Sequence, residues 1–137
     1  MMKKKEPYAS KEECGKYIIR YGDVPAVELA PGLKSRIISA EKITLSFVSA
    51  EPNAQLPPHR HENEQMMVVL DGDGNYIIEG KLYHVQKGDI VVLPPNTEHG
   101  GYDSNTGCRV IDVFSPPRKD FVAKLEEVKK SQKQWFN

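Results

Sequence analysis

The chain is short of cysteine, of net charge and of long apolar runs, and each shortage removes a class of protein. Among 137 residues there are two cysteines, Cys14 and Cys108, too few for a disulfide framework and well suited to a reducing compartment. Nineteen basic side chains are cancelled by nineteen acidic ones. Without a basic excess to meet a phosphate backbone, no nucleic-acid partner is expected. No stretch reaches the roughly 18 apolar residues of a membrane-spanning helix, so no membrane partner is expected either. Met1-Met2-Lys3-Lys4-Lys5 is followed by Glu6-Pro7-Tyr8-Ala9-Ser10 instead of an apolar core. The opening therefore does not read as a secretion signal, and a cytoplasmic location is expected.

What is present is a series of short strand-like segments between turn signals, within a length that suits one domain with its own core. Tyr17 to Arg20 reads as a short strand ended by Gly22-Asp23 and Pro25, after a charged, aperiodic arm over residues 1–15. Arg36 to Ile38 and Ile43 to Val48 follow. In the second, Ile43, Leu45 and Phe47 share one face and Thr44 and Ser46 the other, the pattern of a half-buried barrel wall. Met66 to Leu70 is apolar on both faces; Asp71-Gly72-Asp73-Gly74 reads as a turn, and Tyr76 to Tyr83 as a hairpin closed at Glu79-Gly80. Ile90 to Leu93 and Cys108 to Phe114 complete the set. Many short strands and no helix before the end predict an all-β antiparallel barrel or jelly roll. At the C-terminus Ser115 can cap a helix with Pro116 in its first turn, and Phe121, Leu125 and Val128 form its apolar stripe. Asp120 with Lys124 and Glu126 with Lys130 are spaced as ion pairs on its wet side. This helix is expected on the outside of the barrel, with Trp135 as an anchor. The organisation is thus an arm and edge strand over 1–24, a barrel over 25–115 and a helix over 116–137.

The chemistry gathers in two stretches. In Pro57-Pro58-His59-Arg60-His61-Glu62-Asn63-Glu64-Gln65, strand alternation aims His59, His61 and Gln65 to one side and Glu62 and Glu64 to the other. Two imidazoles and an amide oxygen converging in this way can hold a divalent transition metal. A third histidine, His99, ends Gly88-Asp89-Ile90-Val91-Val92-Leu93-Pro94-Pro95-Asn96-Thr97-Glu98-His99. The fourth, His84, lies on the outgoing hairpin strand, matches no ligand position and reads as a structural or surface residue.

These stretches resemble the paired motifs of the cupins. His59, His61, Gln65 and Gly72 match the spacing of the first motif, and Gly88, Pro94 and His99 that of the second. Asn53, Asn96 and Asp103 stand where Gly, Gly and Asn are usual. Asn tolerates the left-handed backbone that Gly supplies, so the turn at Asn96 is expected to survive. The resemblance implies a cupin β-barrel, or double-stranded β-helix, holding one divalent transition metal (Ni, Zn, Mn or Fe) on His59, His61, Gln65 and His99. It also implies a homodimer, for which Met66 to Leu70 and the N-terminal arm are the expected interface.

Asp112 is a carboxylate in an apolar strand, costly to bury without a partner. Arg118 follows six residues later. Residue chemistry leaves two readings open: a carboxylate seat beside a helix N-terminus, or a structural Asp112–Arg118 ion pair at the strand–helix corner. The segment Asp112-Val113-Phe114-Ser115-Pro116-Pro117-Arg118, with the histidine site, is similar to that of the cupins of pectin and alginate breakdown, which convert 4,5-unsaturated uronates to the linear ketonic form. That resemblance implies an isomerase of sugar acids, with the metal as Lewis acid, Asp112 transferring the proton and Arg118 binding the substrate carboxylate. The alternatives are a metal-dependent dioxygenase and a non-catalytic cupin that binds a sugar or carboxylate. Cys108 shares strand parity with Asp112 and reads as a buried, inert thiol.

Overall fold

The computed structural model describes residues 7–102 and 105–136, and its organising element is one fifteen-residue strand. The strands are β1 (Ala26–Ala30), β2 (Leu33–Ser39), β3 (Thr44–Ala50), β4 (Leu56–His59), β5 (Glu64–Ile78), β6 (Lys81–Gln86), β7 (Ile90–Leu93), β8 (His99–Tyr102) and β9 (Cys108–Ser115). All pairings are antiparallel. β5 bonds to β9 and β7 along its first half and to β6 and β8 along its second, so it belongs to both walls of the curled sheet. The first wall runs β1-β2-β3-β9-β5, and the second is closed by β8 and β4.

Residues 71–74 are therefore no turn. β5 passes through them by an irregularity between Val69 and Asp71 and a positive φ of 76° at Gly72. A side chain at Gly72 would collide with the Gly107 carbonyl, so only glycine lets the two backbones approach. The hairpin at Glu79-Gly80 is present, both residues having positive φ (47° and 80°) as its tight turn requires. Asn53 and Asn96 also take positive φ, 68° and 63°.

Leu33, Val48, Met67, Val69, Val85 and Val110 fill the barrel. On β3 the polar face is turned inward: Thr44 and Ser46 are fully buried while Ile43 is 46% exposed. Ser46 Oγ meets Ser35 Oγ at 2.5 Å, and Thr44 Oγ1 accepts the Arg118 amide at 3.0 Å. Leu45 and Phe47 instead lie on the outer face, where Tyr21 packs on Phe47 with ring centroids 5.3 Å apart, while Val48 shares the inner face with Thr44 and Ser46.

Both ends of the chain depart from expectation. Tyr17 to Arg20 is not a strand: Tyr17 ends the helix α1 (Lys11–Tyr17), whose start is fixed by a reciprocal Ser10/Glu13 cap. None of its residues is buried. The C-terminal helix α2 (Lys119–Phe136) begins later than Ser115, because Pro116 precedes Pro117 and is barred from helical backbone. Ser115 caps nothing; its hydroxyl donates to the Lys42 carbonyl at 3.1 Å. Leu125 packs against Val27 and Ile37, flanked by Phe121 and Val128. Val27 pairs with Ser35, and Ser35 and Ile37 share a face with the interior Leu33. The helix thus closes the open side of the curled sheet instead of lying on its outside. On its wet side Asp120 bonds to Arg118 and Glu126 to Lys129 at 3.9 Å, not to the lysines expected. The Trp135 side chain and Asp103 lie outside the described residues.

Candidate metal site and cavity

His59 ends β4, His61 lies in the loop beyond it, Gln65 enters β5, and His99 opens β8 directly opposite His59 in the ladder. Strand pairing therefore joins the two sequence stretches. The nitrogen ligand atoms of His59, His61 and His99 lie within 4.8 Å of one another. Each ring turns Nδ1 onto a backbone carbonyl: His59 to Pro57 at 3.0 Å, His61 to Asn63 at 3.0 Å, His99 to Thr97 at 2.7 Å. A nitrogen facing a carbonyl must carry the proton, which leaves each Nε2 as the free donor atom. Burial, more than any neighbouring charge, lowers the pKa of His61 and takes that of His99 to about 4. Both are held as the neutral imidazoles a metal ion needs.

The fourth donor fits as well. His61 Nε2 and Gln65 Oε1 face each other at 3.0 Å. With Nδ1 protonated, these are two acceptors, an arrangement that a cation between them satisfies. Gln65 is oriented from behind by donating Nε2–H to Asp112 Oδ1 at 2.9 Å. The residues present thus fit a divalent ion, and Glu62 and Glu64, both exposed, take no part.

Asp112 pairs with Met67 across β5 and β9 and lines the same cavity as His59, Gln65 and His99. Removal from water pushes its carboxyl up to about 7, against the opposing pull of the Gln65 hydrogen bond and the Arg118 charge. The ion pair between Asp112 and Arg118 does not form. Arg118 instead gives Nε and Nη2 to Asp120 at 2.9 and 2.7 Å, and its guanidinium lies 4.8 Å over Phe114 and 4.0 Å over Phe121. It is 8% exposed. It precedes α2 instead of occupying its first turn. Its charge nonetheless reaches His61, His99, Tyr76 and Asp112.

Two residues join this site without having been singled out from sequence. Tyr76 lines the cavity and stacks on His99 at 6.2 Å; burial, then the Asp112 charge, raises its pKa. Asn63, 6% exposed, bonds through its side chain to the carbonyls of Pro116 and Pro117 at 2.5 and 3.2 Å, while its own carbonyl orients His61. The alternation His61-x-Asn63-x-Gln65 is a sequence signal for its inward aim. Asn63→Ala strands two carbonyls and is expected to cost about 1–3 kcal/mol, measured by urea unfolding. A loss under roughly 0.5 kcal/mol, the scatter of ordinary surface changes, would show that the clamp carries no weight.

His84 is exposed, 3.6 Å from Asp73, away from the cluster. Cys108 is half-buried in the cavity wall, and burial raises its pKa.

Against known proteins, the cupin domain model matches residues 46–114. The pectin degradation protein KdgF of Dickeya dadantii is 31% identical over 102 residues, 73% of this chain and 93% of that protein. The H2HPP isomerase of Bacillus subtilis is 26% identical over 95% of this chain, which spans 54% of that enzyme's length. The structure of KdgF from Halomonas sp. superposes with a TM-score of 0.67 at 28% identity, covering 73% of this chain and 94% of the other. Sequence motif, strand topology and histidine cluster agree with these matches: the chain belongs to the cupin family.

Proposed function

We propose that this chain is a metal-dependent isomerase of unsaturated sugar acids, with a 4,5-unsaturated uronate as substrate and residues 25–115 as its catalytic barrel. The observation that carries the reading is the contact of Asp112 with Gln65. It sets a buried carboxyl group, whose pKa without an ion is raised to about 7, beside the donors proposed to hold the ion, where it can accept and return protons. A relative named for pectin degradation, similar over nearly its whole length, supports the substrate class.

His59, His61, Gln65 and His99 would hold the ion, one per chain, of Ni, Zn, Mn or Fe. When bound it supplies Lewis-acid polarisation of a substrate oxygen. Asp112 accepts the proton released as the ring opens and returns one to carbon as the enol becomes the ketone, so no atom is gained or lost. Arg118, committed to Asp120 on one edge, offers the Nη1 end of its fork to the substrate carboxylate. The rings of Phe114 and Phe121 hold the guanidinium in place by contact with its carbon. The test is the absorbance of the conjugated double bond of an unsaturated galacturonate: loss faster than in buffer, abolished by chelation, is the expected result. No acceleration by fully metal-loaded protein would overturn the reading.

The chain is proposed to act as a homodimer. Met66 and Val92 are paired on the outer face, and with Leu70 and Ile90 they are 40–58% exposed. Contiguous apolar surface of this kind marks a protein contact. Val92→Lys is expected to halve the mass measured by light scattering after size exclusion; an unchanged mass would place any contact elsewhere.

No helix among the described residues is long and apolar enough to cross a membrane.

A further inference from the structure

The two histidine-bearing stretches are joined by a side chain that is not itself a donor to the ion. Arg60 stands between His59 and His61, so alternation along nearly extended chain turns it away from the imidazoles. Its guanidinium crosses to the loop that leads into β8. Nη1 donates to the Asn96 carbonyl at 2.8 Å, and Nη2 donates to Glu98 Oε2 at 3.4 Å. The backbone returns the contact, with the Asn96 amide donating to the His61 carbonyl at 2.8 Å. Arg60 therefore grips the chain on both sides of Thr97, whose carbonyl accepts from His99 Nδ1 and sets that ring.

A third segment completes the tie. Glu79, at the tip of the β5–β6 hairpin, places Oε1 3.6 Å from Arg60 Nη1, and the same Oε1 accepts the Glu98 amide at 2.9 Å. The Glu79 amide donates to the Glu98 carbonyl at 2.9 Å. One planar fork thus fixes the loop that carries His61 against the loop that orients His99. An ammonium on a flexible stem has no such fork with which to hold a carbonyl and a carboxylate in one geometry.

Folding and metal binding ask different things of this fork. Its ion pairs are about half exposed and contribute little to folding. A metal ion is more demanding, because rings from two separate stretches must present their Nε2 atoms at one point. Groups that only orient ligands carry about 10–100-fold in affinity. The charge of Arg60 works in the other direction: a cation near the site repels a dication, and its removal would leave Glu79 and Glu98 unopposed.

We propose that Arg60 is a positioning residue of the metal site, holding the two histidine stretches at the spacing the ion requires, and that this geometry outweighs its unfavourable charge. The proposal rests on the reading of His59, His61 and His99 as ligands.

Its test is the zinc affinity of the full chain, measured by competition with a chromophoric chelator, beside thermal melts of the metal-free protein. Arg60→Ala is expected to weaken zinc by about 10–100-fold, while the metal-free melt moves by less than about 5 °C. Arg60→Lys, which keeps the charge but not the fork, is expected to weaken zinc by about tenfold, the lower end of that range. Unchanged or tighter zinc binding by Arg60→Ala overturns the proposal, the second outcome because charge would then outweigh geometry. Wild-type affinity in Arg60→Lys overturns it too, since the fork would be dispensable. A larger fall in the metal-free melt would reduce Arg60 to a structural tie. Wild-type protein that takes up no zinc removes the ligand reading together with the proposal. The uronate absorbance assay is independent: absent turnover with the expected affinities removes the isomerase reading alone.

Discussion

Asp112→Asn is expected to lower turnover of an unsaturated uronate by about 10²–10⁴-fold, the usual contribution of a positioned acid–base group, with metal content unchanged. Asparagine keeps an oxygen to accept from Gln65 Nε2, now 2.9 Å from Asp112, so the donor set stays oriented while the proton carrier is lost. Wild-type kcat/KM is expected to fall on the acid side with an apparent pKa at or below about 7, the value of Asp112 without an ion; a nearby dication favours the ionised form and lowers it. Loss of that limb in the variant ties it to Asp112. Full turnover by metal-loaded Asp112→Asn would end the proton-transfer role.

The same substitution has a stability signature. In the metal-free protein the Asp112 carboxyl is raised from 3.8 to about 7, so between those values the folded state holds a proton that the unfolded chain has released. The stability owed to this group is full at low pH and falls as pH rises through that window. Asparagine has no proton to lose, so the variant is expected to gain on the wild type progressively, by roughly 2–4 kcal/mol at pH 8. Urea melts of both proteins at pH 4.5 and 8 measure this. A gain independent of pH would mean that Asp112 is not desolvated as the fold implies.

His99→Ala is expected to remove the ion altogether. His99 is 2% exposed and stands between the other two imidazoles, with ring centroids 4.4 Å from His59 and 4.8 Å from His61. Loss of such a donor should exceed the roughly 10–100-fold drop that accompanies loss of a mere supporting partner. Elemental analysis checks it, with His84→Ala as a variant expected to keep a full equivalent. Chelator should lower the wild-type Tm by about 5–10 °C, the effect of removing a ligand present near 100 times its Kd. The His99→Ala melt should not respond. A full metal equivalent in His99→Ala would show that the histidine cluster is not the site.

The donor spacing was legible because it is local. His59, His61 and Gln65 alternate along nearly extended chain, and the backbone carbonyls that orient the rings of His59, His61 and His99 each lie two residues away. Asn96, with its positive φ, was equally readable, since a left-handed turn selects its residue. The faces of β3 were not. Alternation says that Thr44 and Ser46 oppose Leu45 and Phe47, but it is unchanged when the strand is turned over. Ser35 and Ser39 of β2 and the Arg118 amide, brought in by the turn before α2, supply the partners that let the hydroxyls be buried.

The partner of Arg118 was decided in the same way. From sequence Asp112 and Asp120 are both within reach; the turn through Pro116 and Pro117, clamped by Asn63, delivers the guanidinium to Asp120. By itself the sequence carried the strand pattern of an all-β fold, the alternation that puts His59, His61 and Gln65 on one side, and the carboxylate of Asp112 in an apolar strand, while the resemblance added His99 as the expected fourth donor. The tertiary structure alone decided that His99 lies opposite His59 and that α2 closes the barrel. Those outcomes depend on ladder register and on burial of groups far apart in the chain, where each choice is settled by partners that the local sequence does not contain.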